Sequence, residues 1–174
     1  GRSRGLGDVY KRQSEYKLDV SEFDLNELTR ICIIGLCNRI DEKNLELNVD
    51  FEDDILKVIA DKDAIKRVVI NLLDNAIKYN KDNGKITVFV GESAKGVELS
   101  VKDTGIGIPP EDTERIFERF YRVDKSHSKK VGGTGLGLSI VKHVCACHNA
   151  TIRVKSKVGK GTTIYVTFPN NVNN

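Results

Sequence analysis

Four short motifs stand in a fixed order along this chain and constrain its fold more than any other feature. They are Asn71-Leu72-Leu73-Asp74-Asn75-Ala76-Ile77-Lys78-Tyr79, Asp103-Thr104-Gly105-Ile106-Gly107-Ile108, Gly132-Gly133-Thr134-Gly135-Leu136-Gly137-Leu138 and Gly159-Lys160-Gly161-Thr162-Thr163. The first lies on an apolar stripe at helical spacing, formed by Ile65, Val68, Val69, Leu72, Leu73, Ala76 and Ile77. Period-two strand patterns flank the second and fourth, and the third runs straight into an apolar helical pattern. Each motif alone is weak; their order on these supports is the signal.

The rest of the chain fills in around them. Asp24 is the expected N-cap of a first helix, with Glu27 as its capping-box partner and Leu25, Leu28, Ile31, Cys32 and Leu36 on one face. Residues 45–51 alternate as a half-buried strand, and residues 56–60 form a second short one. Asp61 or Asp63 caps the helix that carries the first motif, and residues 80–84 form a turn. Residues 85–90 and 97–102 read as a hairpin, and residues 151–156 and 162–168 as another. Between them lies a long segment rich in glycine and charge, helical only over residues 111–120, followed by a helix over residues 135–147. This order predicts an α+β two-layer sandwich, with a mixed, mostly antiparallel sheet backed by three helices.

Bulk properties narrow the class. A chain of 174 residues suits one domain with a real core. No run of about 18 apolar residues exists, so no spanning helix is expected. Of 28 basic and 25 acidic residues, four and one lie in residues 1–13, leaving 24 of each in the remainder. The folded part is therefore neutral, which argues against nucleic acid or direct membrane contact as its business. Cys32, Cys37, Cys145 and Cys147 lack the usual zinc spacings and read as reduced thiols of a cytoplasmic domain. Cys145, Cys147 and His148 are a weak metal candidate, set aside because Cys-x-Cys-His at a helix end more often reflects a buried thiol with solvent-facing neighbours.

Residues 1–13 have no helical or strand period. Asp8–Gln13 back-translates as GAT GTG TAT AAG AGA CAG, which resembles a transposon end used in sequencing libraries. The hypothesis is an adapter-derived or disordered tail; finding those codons contiguous in intact genomic DNA would refute the adapter origin. Residues 14–23 are expected to be a linker remnant, residues 24–169 the domain and residues 170–174 a tail.

The motifs carry a consistent chemistry. Asn71 and Asn75 share a helical face, and amide oxygens are hard donors suited to Mg²⁺ with phosphate oxygens and water. Asparagine is a poor mid-helix residue, so two in one helix ask for a reason. Lys78, on the same side, reaches towards a phosphate. Asp103 at a strand end can accept a hydrogen bond from the adenine amine, while the glycines after it let backbone approach a ligand. Glycines before a helix N-terminus present free N–H groups to phosphate, although the Walker pattern is absent.

On these motifs, residues 24–169 resemble the catalytic, ATP-binding domain of bacterial sensor histidine kinases, in the wider group with DNA gyrase, a heat-shock chaperone family and the MutL ATPases. The four motifs look like that family's N box and three glycine boxes, and residues 114–122 look like its F box. The resemblance implies the Bergerat-type ATP-binding fold, with ATP and Mg²⁺ as cofactors. Asn75 would hold Mg²⁺ with help from Asn71. Lys78 would touch phosphate and Tyr79 line the pocket. Asp103 would bind the adenine amine, with Gly105, Gly107 and Ile108 around the base and Thr162 or Thr163 nearby. Residues 109–134 would form a mobile lid, in which Arg119, Arg122 or Lys130 reaches the γ-phosphate. Gly135 and Gly137 would hinge the lid and bind phosphate, with Gly133, Thr134 and Leu136 also contacting the nucleotide.

The resemblance also sets the reaction. Hydrolysing relatives carry a glutamate at the position of Asn71, and an asparagine cannot accept a proton in that role. Such a site is expected to present the γ-phosphate to an external nucleophile, through positioning and charge neutralisation. The family's acceptor is a histidine on a dimerising hairpin before this domain. None of His127, His143 and His148 has that context. The chain is thus expected to be a fragment without its phosphoacceptor, in a kinase anchored to a membrane. Its partners would be that hairpin and a downstream response regulator. The alternative is a non-catalytic nucleotide-binding sensor or scaffold module.

Overall fold

The computed structural model describes residues 17–121 and 137–169. Its first element differs from expectation. Val20–Asp24 is a strand, β1, where residues 14–23 were expected to be a linker and a helix was expected to start at Asp24. It pairs antiparallel with β3, Lys57–Asp61, from Val20 opposite Asp61 to Asp24 opposite Lys57. Phe23 is its one buried residue, and the pairing with β3 rather than any alternation of its own makes the segment a strand.

Helix α1, Leu25–Gly35, starts at Asp24. Asp24 Oδ1 accepts from the backbone N–H of Asn26 and of Leu56, both at 3.0 Å. Glu27 instead pairs with Arg30 at 3.0 Å. Ile31, expected in the core, is 46% exposed, and Ile33 is buried in its place. A further short helix, α2, Cys37–Glu42, was not expected; Ile40 is its one buried residue.

Strand β2, Glu46–Phe51, precedes β3, and Asp61 then caps α3, Lys62–Lys78, by accepting from Ala64 N–H at 3.2 Å. Strands β4, Lys85–Ser93, and β5, Gly96–Asp103, form a hairpin longer than expected at both ends. After the loop and α4, Gly137–Cys147, come β6, Thr151–Lys157, and β7, Gly161–Pro169. The five-stranded sheet runs β2-β4-β5-β7-β6, with β2 parallel to β4 and every other pair antiparallel.

The expected helix over residues 111–120 is instead two 3₁₀ turns, Pro110–Asp112 and Arg115–Phe117. Only Ile116 is buried there, so no apolar stripe repays the nucleation of a longer helix, and Phe120 stands 63% exposed at φ 64°.

The core lies between the helices and one sheet face. Ile65, Val68, Leu72 and Ile77 of α3 belong to one buried cluster with Ile86, Val88 and Val90 of β4, Leu99 of β5 and Val166 of β7. Helix α4 packs beside α3 and contributes Val141, Val144 and Cys145. All four cysteines are unpaired. Burial pushes the Cys145 thiol up to about 12 and raises Cys32 as well, which keeps both protonated. Cys147 faces solvent while Cys145 faces the core, so the two do not converge on a metal.

Candidate functional site

Helix α3 brings the first motif to the sheet end where β5 finishes. Asn71 Nδ2 donates to Arg67 O at 2.8 Å, which fixes the amide. Its Oδ1 then points at the start of α4, where a Cβ on Gly137 would lie 3.0 Å away. The side chain of half-buried Asn75 makes no hydrogen bond among the described residues. Lys78 Nζ lies 2.8 Å from Asp74 Oδ2, and Arg39 Nη1 of α2 lies 2.6 Å from Asp74 Oδ1. Neither Asp74 nor Arg39 was a sequence candidate. The Asp74–Lys78 pair was legible from its i,i+4 spacing, whereas Arg39 comes from a helix that sequence did not reveal.

The helix ends under Lys43. Its Nζ donates to Ile77 O, Lys78 O and Asn80 O at 2.8, 3.0 and 3.1 Å, a side-chain cap over the C-terminal end of the helix. Burial lowers the Lys43 pKa; nearby Asp82 opposes that fall and Arg39 adds to it.

Asp103 closes β5. Its Oδ1 accepts from Gly105 N–H at 2.9 Å and from Thr162 N–H at 3.2 Å. Among the described residues both bonds fall on that oxygen, which leaves Oδ2 to an incoming donor. Burial raises the Asp103 pKa, and the two backbone N–H groups pull it back down. The carboxylate is thus desolvated yet held by donors that favour its ionised, accepting form.

Side chains outside the expected set tie the motifs together. Asn80, 7% exposed, accepts from Thr104 Oγ1–H and from Lys81 N–H, both at 3.0 Å, and donates from Nδ2 to Lys85 O at 3.1 Å. Thr104 Oγ1 in turn accepts from Lys85 N–H at 2.9 Å. Tyr79 O accepts from Ile106 N–H at 3.1 Å, and a methyl on Gly105 would collide with that same carbonyl. Helix end and glycine turn therefore touch through backbone.

On the other side, Ser156 Oγ accepts from Ile108 N–H at 2.8 Å, lies 2.7 Å from Thr162 Oγ1 and 3.0 Å from Gly161 O. The two turns meet here too: Gly159 N–H donates to Ile106 O at 2.8 Å, and a methyl on Gly107 would collide with Lys157 O. Thr162 is buried against Asp103, whereas Thr163, next along β7, points to the opposite sheet face. Of the two threonine candidates, Thr162 adjoins the Asp103 carboxylate.

Arg119 is exposed and stacks over Phe120, 5.6 Å from the ring centroid. Arg122, Lys130, Gly133, Thr134, Gly135 and Leu136 lie outside the described residues. A cavity of about 230 Å³ sits elsewhere, lined among others by Glu22, Lys57, Glu92 and His148, and takes in none of the site residues. Among the described residues no three His, Cys, Asp or Glu side chains cluster as a metal cage, and no helix is long and apolar enough to cross a membrane. The donors on offer are amide oxygens.

Comparison with known proteins points the same way. Residues 60–172 match the family described as histidine kinase-, DNA gyrase B-, and HSP90-like ATPase. The chain is 45% identical over 130 residues to the sensor histidine kinase WalK of Bacillus subtilis, covering 74% of this chain and 21% of that kinase. The catalytic domain of histidine kinase ThkA superposes with a TM-score of 0.77 at 32% identity, over 87% of this chain and 96% of that domain. Full-length ShkA, solved in complex with AMPPNP, gives a TM-score of 0.77 at 27% identity, over 88% of this chain and 31% of that one. The chain spans about a fifth of WalK and under a third of ShkA. It belongs to the histidine kinase-, DNA gyrase B- and HSP90-like ATPase family, as a homologue of sensor histidine kinase catalytic domains.

Proposed function

We propose that this domain binds Mg-ATP and transfers its γ-phosphate to a histidine on the dimerisation hairpin of its own sensor kinase. The observation that carries the reading is the Asp103 carboxylate, held by Gly105 and Thr162 N–H groups with one oxygen left for a donor, at the end of the helix bearing Asn71, Asn75 and Lys78. An adenine amine supplies that donor.

The donor chemistry fits Mg²⁺. An amide with no other hydrogen bond among the described residues, Asn75, sits one turn from Asn71, and Mg²⁺ takes few protein oxygens when phosphate and water supply the rest. Bound there, the ion neutralises charge on the phosphates. Lys78 binds phosphate and Tyr79 lines the pocket. Asn71 lacks the basicity to activate water, so phosphate goes to a protein nucleophile. The histidine hairpin and a response regulator are the partners this implies, with the domain on the cytoplasmic side of an anchored parent. Arg119, Arg122 and Lys130 are the candidates for the γ-phosphate, residues 109–134 would serve as the lid over it, Gly135 and Gly137 as its hinges, and Gly133, Thr134 and Leu136 as further nucleotide contacts.

The test is a calorimetric titration of the chain with a non-hydrolysable ATP analogue, with and without Mg²⁺, followed by mixing with a histidine-bearing hairpin and labelled ATP. One site per chain and label on the hairpin histidine are expected. A folded chain that binds no nucleotide sinks the reading. Binding without transfer supports the scaffold alternative.

A further inference from the structure

Arg39 lies in none of the four motifs, yet it joins the ion cluster beside them. Its guanidinium takes one oxygen of Asp74 at 2.6 Å, and Lys78 Nζ takes the other at 2.8 Å. The cluster holds two positive charges and one negative, with all three side chains between 22% and 38% exposed. Arg39 is delivered by α2, which Lys43 fixes against three carbonyls at the end of α3.

The arithmetic of this cluster bears on phosphate. A lysine matched one-to-one with a carboxylate on its own helix is a closed neutral pair, and a phosphate must break it to bind. A second cation on the same carboxylate shares its charge, so the lysine keeps positive potential for an incoming anion. We infer that Arg39 is a positioning residue for phosphate binding: acting through Asp74, it keeps Lys78 available to the ligand. This rests on the reading of Lys78 as a phosphate contact. A plain structural tie between α2 and α3 is the competing account.

Binding of a non-hydrolysable Mg-ATP analogue and of adenosine is measured for the chain and for Arg39→Ala, Arg39→Lys, Asp74→Asn, Lys78→Ala and the double variants. Arg39→Ala is expected to weaken the ATP analogue about 3- to 5-fold, the range for a part-exposed ion pair, and to leave adenosine unchanged. The effect vanishes in the Asp74→Asn and Lys78→Ala backgrounds, and Arg39→Lys restores most of the affinity because it keeps the charge. If Arg39→Ala weakens both ligands alike, or still weakens the analogue without Asp74, the inference fails. If Lys78→Ala alone costs no affinity for the analogue, it is the phosphate role of Lys78 that fails. Thermal unfolding of each variant separates loss of fold from loss of binding.

Discussion

Thr104 donates its hydroxyl proton to Asn80 Oδ1 at 3.0 Å, and this one bond fastens the end of the asparagine helix to the turn that follows Asp103. Three further bonds surround it. Lys85 N–H donates to Thr104, Lys81 N–H donates to Asn80, and Asn80 donates to Lys85 O. Asn80→Ala strips partners from buried donors and acceptors, which costs about 1–3 kcal/mol. Denaturant unfolding should show that loss, and nucleotide affinity should fall with it although Asn80 itself faces the protein. Full stability in that variant would mean the lock has no energetic weight.

Asp103 gives a pH dependence with a definite sign. Burial raises its pKa above the ordinary 3.8, so the folded state holds the proton more tightly than the unfolded chain. Its contribution to stability is therefore greatest below pH 3.8 and is lost as pH rises through the raised value. Ligand binding runs the other way. Adenine donates to an ionised carboxylate, so affinity should climb as pH rises through the same window. Calorimetry of adenosine binding across that range checks it, with Asp103→Ala expected to bind nothing measurable. Undiminished affinity in Asp103→Ala would remove the adenine assignment.

What could be read from the sequence was what repeats or punctuates. The α3 stripe from Ile65 to Ile77 and the two glycine-bounded hairpins fell where their periods put them. Strand β1 was missed because five residues, with Phe23 alone buried, carry too little alternation to outweigh a following helix signal. The F-box stretch failed the other way, since its charges suggested a helix that its lone buried Ile116 does not support. Within the site, Asn71, Asn75 and Asp103 announce themselves as motif letters. Asn80, Ser156 and Arg39 do not, because their roles are long-range bonds that no local spacing encodes.

Magnesium should act through Asn75. Its amide makes no hydrogen bond among the described residues, whereas the Asn71 amide is oriented by its Nδ2 bond to Arg67 O, with its Oδ1 turned to the start of α4. Asn75→Ala is expected to bring the affinity for an ATP analogue in Mg²⁺ down to the value measured in EDTA, with adenosine affinity unchanged. Steady-state hydrolysis should stay low in the parent chain, because Asn71 cannot take a proton from water. Persistent Mg²⁺ dependence in Asn75→Ala would place the ion elsewhere.

Gly161 offers the sharpest backbone test. It sits at φ +135°, a region L side chains avoid, and a methyl there would strike the Asp103 carbonyl. In the same turn Thr162 N–H donates to Asp103 Oδ1, and Gly161 O accepts from Ser156 Oγ–H. Gly161→Ala must therefore either strain the turn or push β7 away from β5, and either change pulls a donor off the carboxylate. The strain alone amounts to about 1–3 kcal/mol. With Thr162 N–H withdrawn, one of the two bonds that favour ionisation is gone, and the Asp103 pKa should rise further. The expected result is a lower unfolding midpoint together with an adenosine-binding pH profile displaced to higher pH. Gly159→Ala is the control: its φ of +79° is also strained, but a methyl there meets open space, so stability should drop while the pH profile stays put. Identical pH profiles for all three proteins would show that the β7 turn has no hold on the carboxylate.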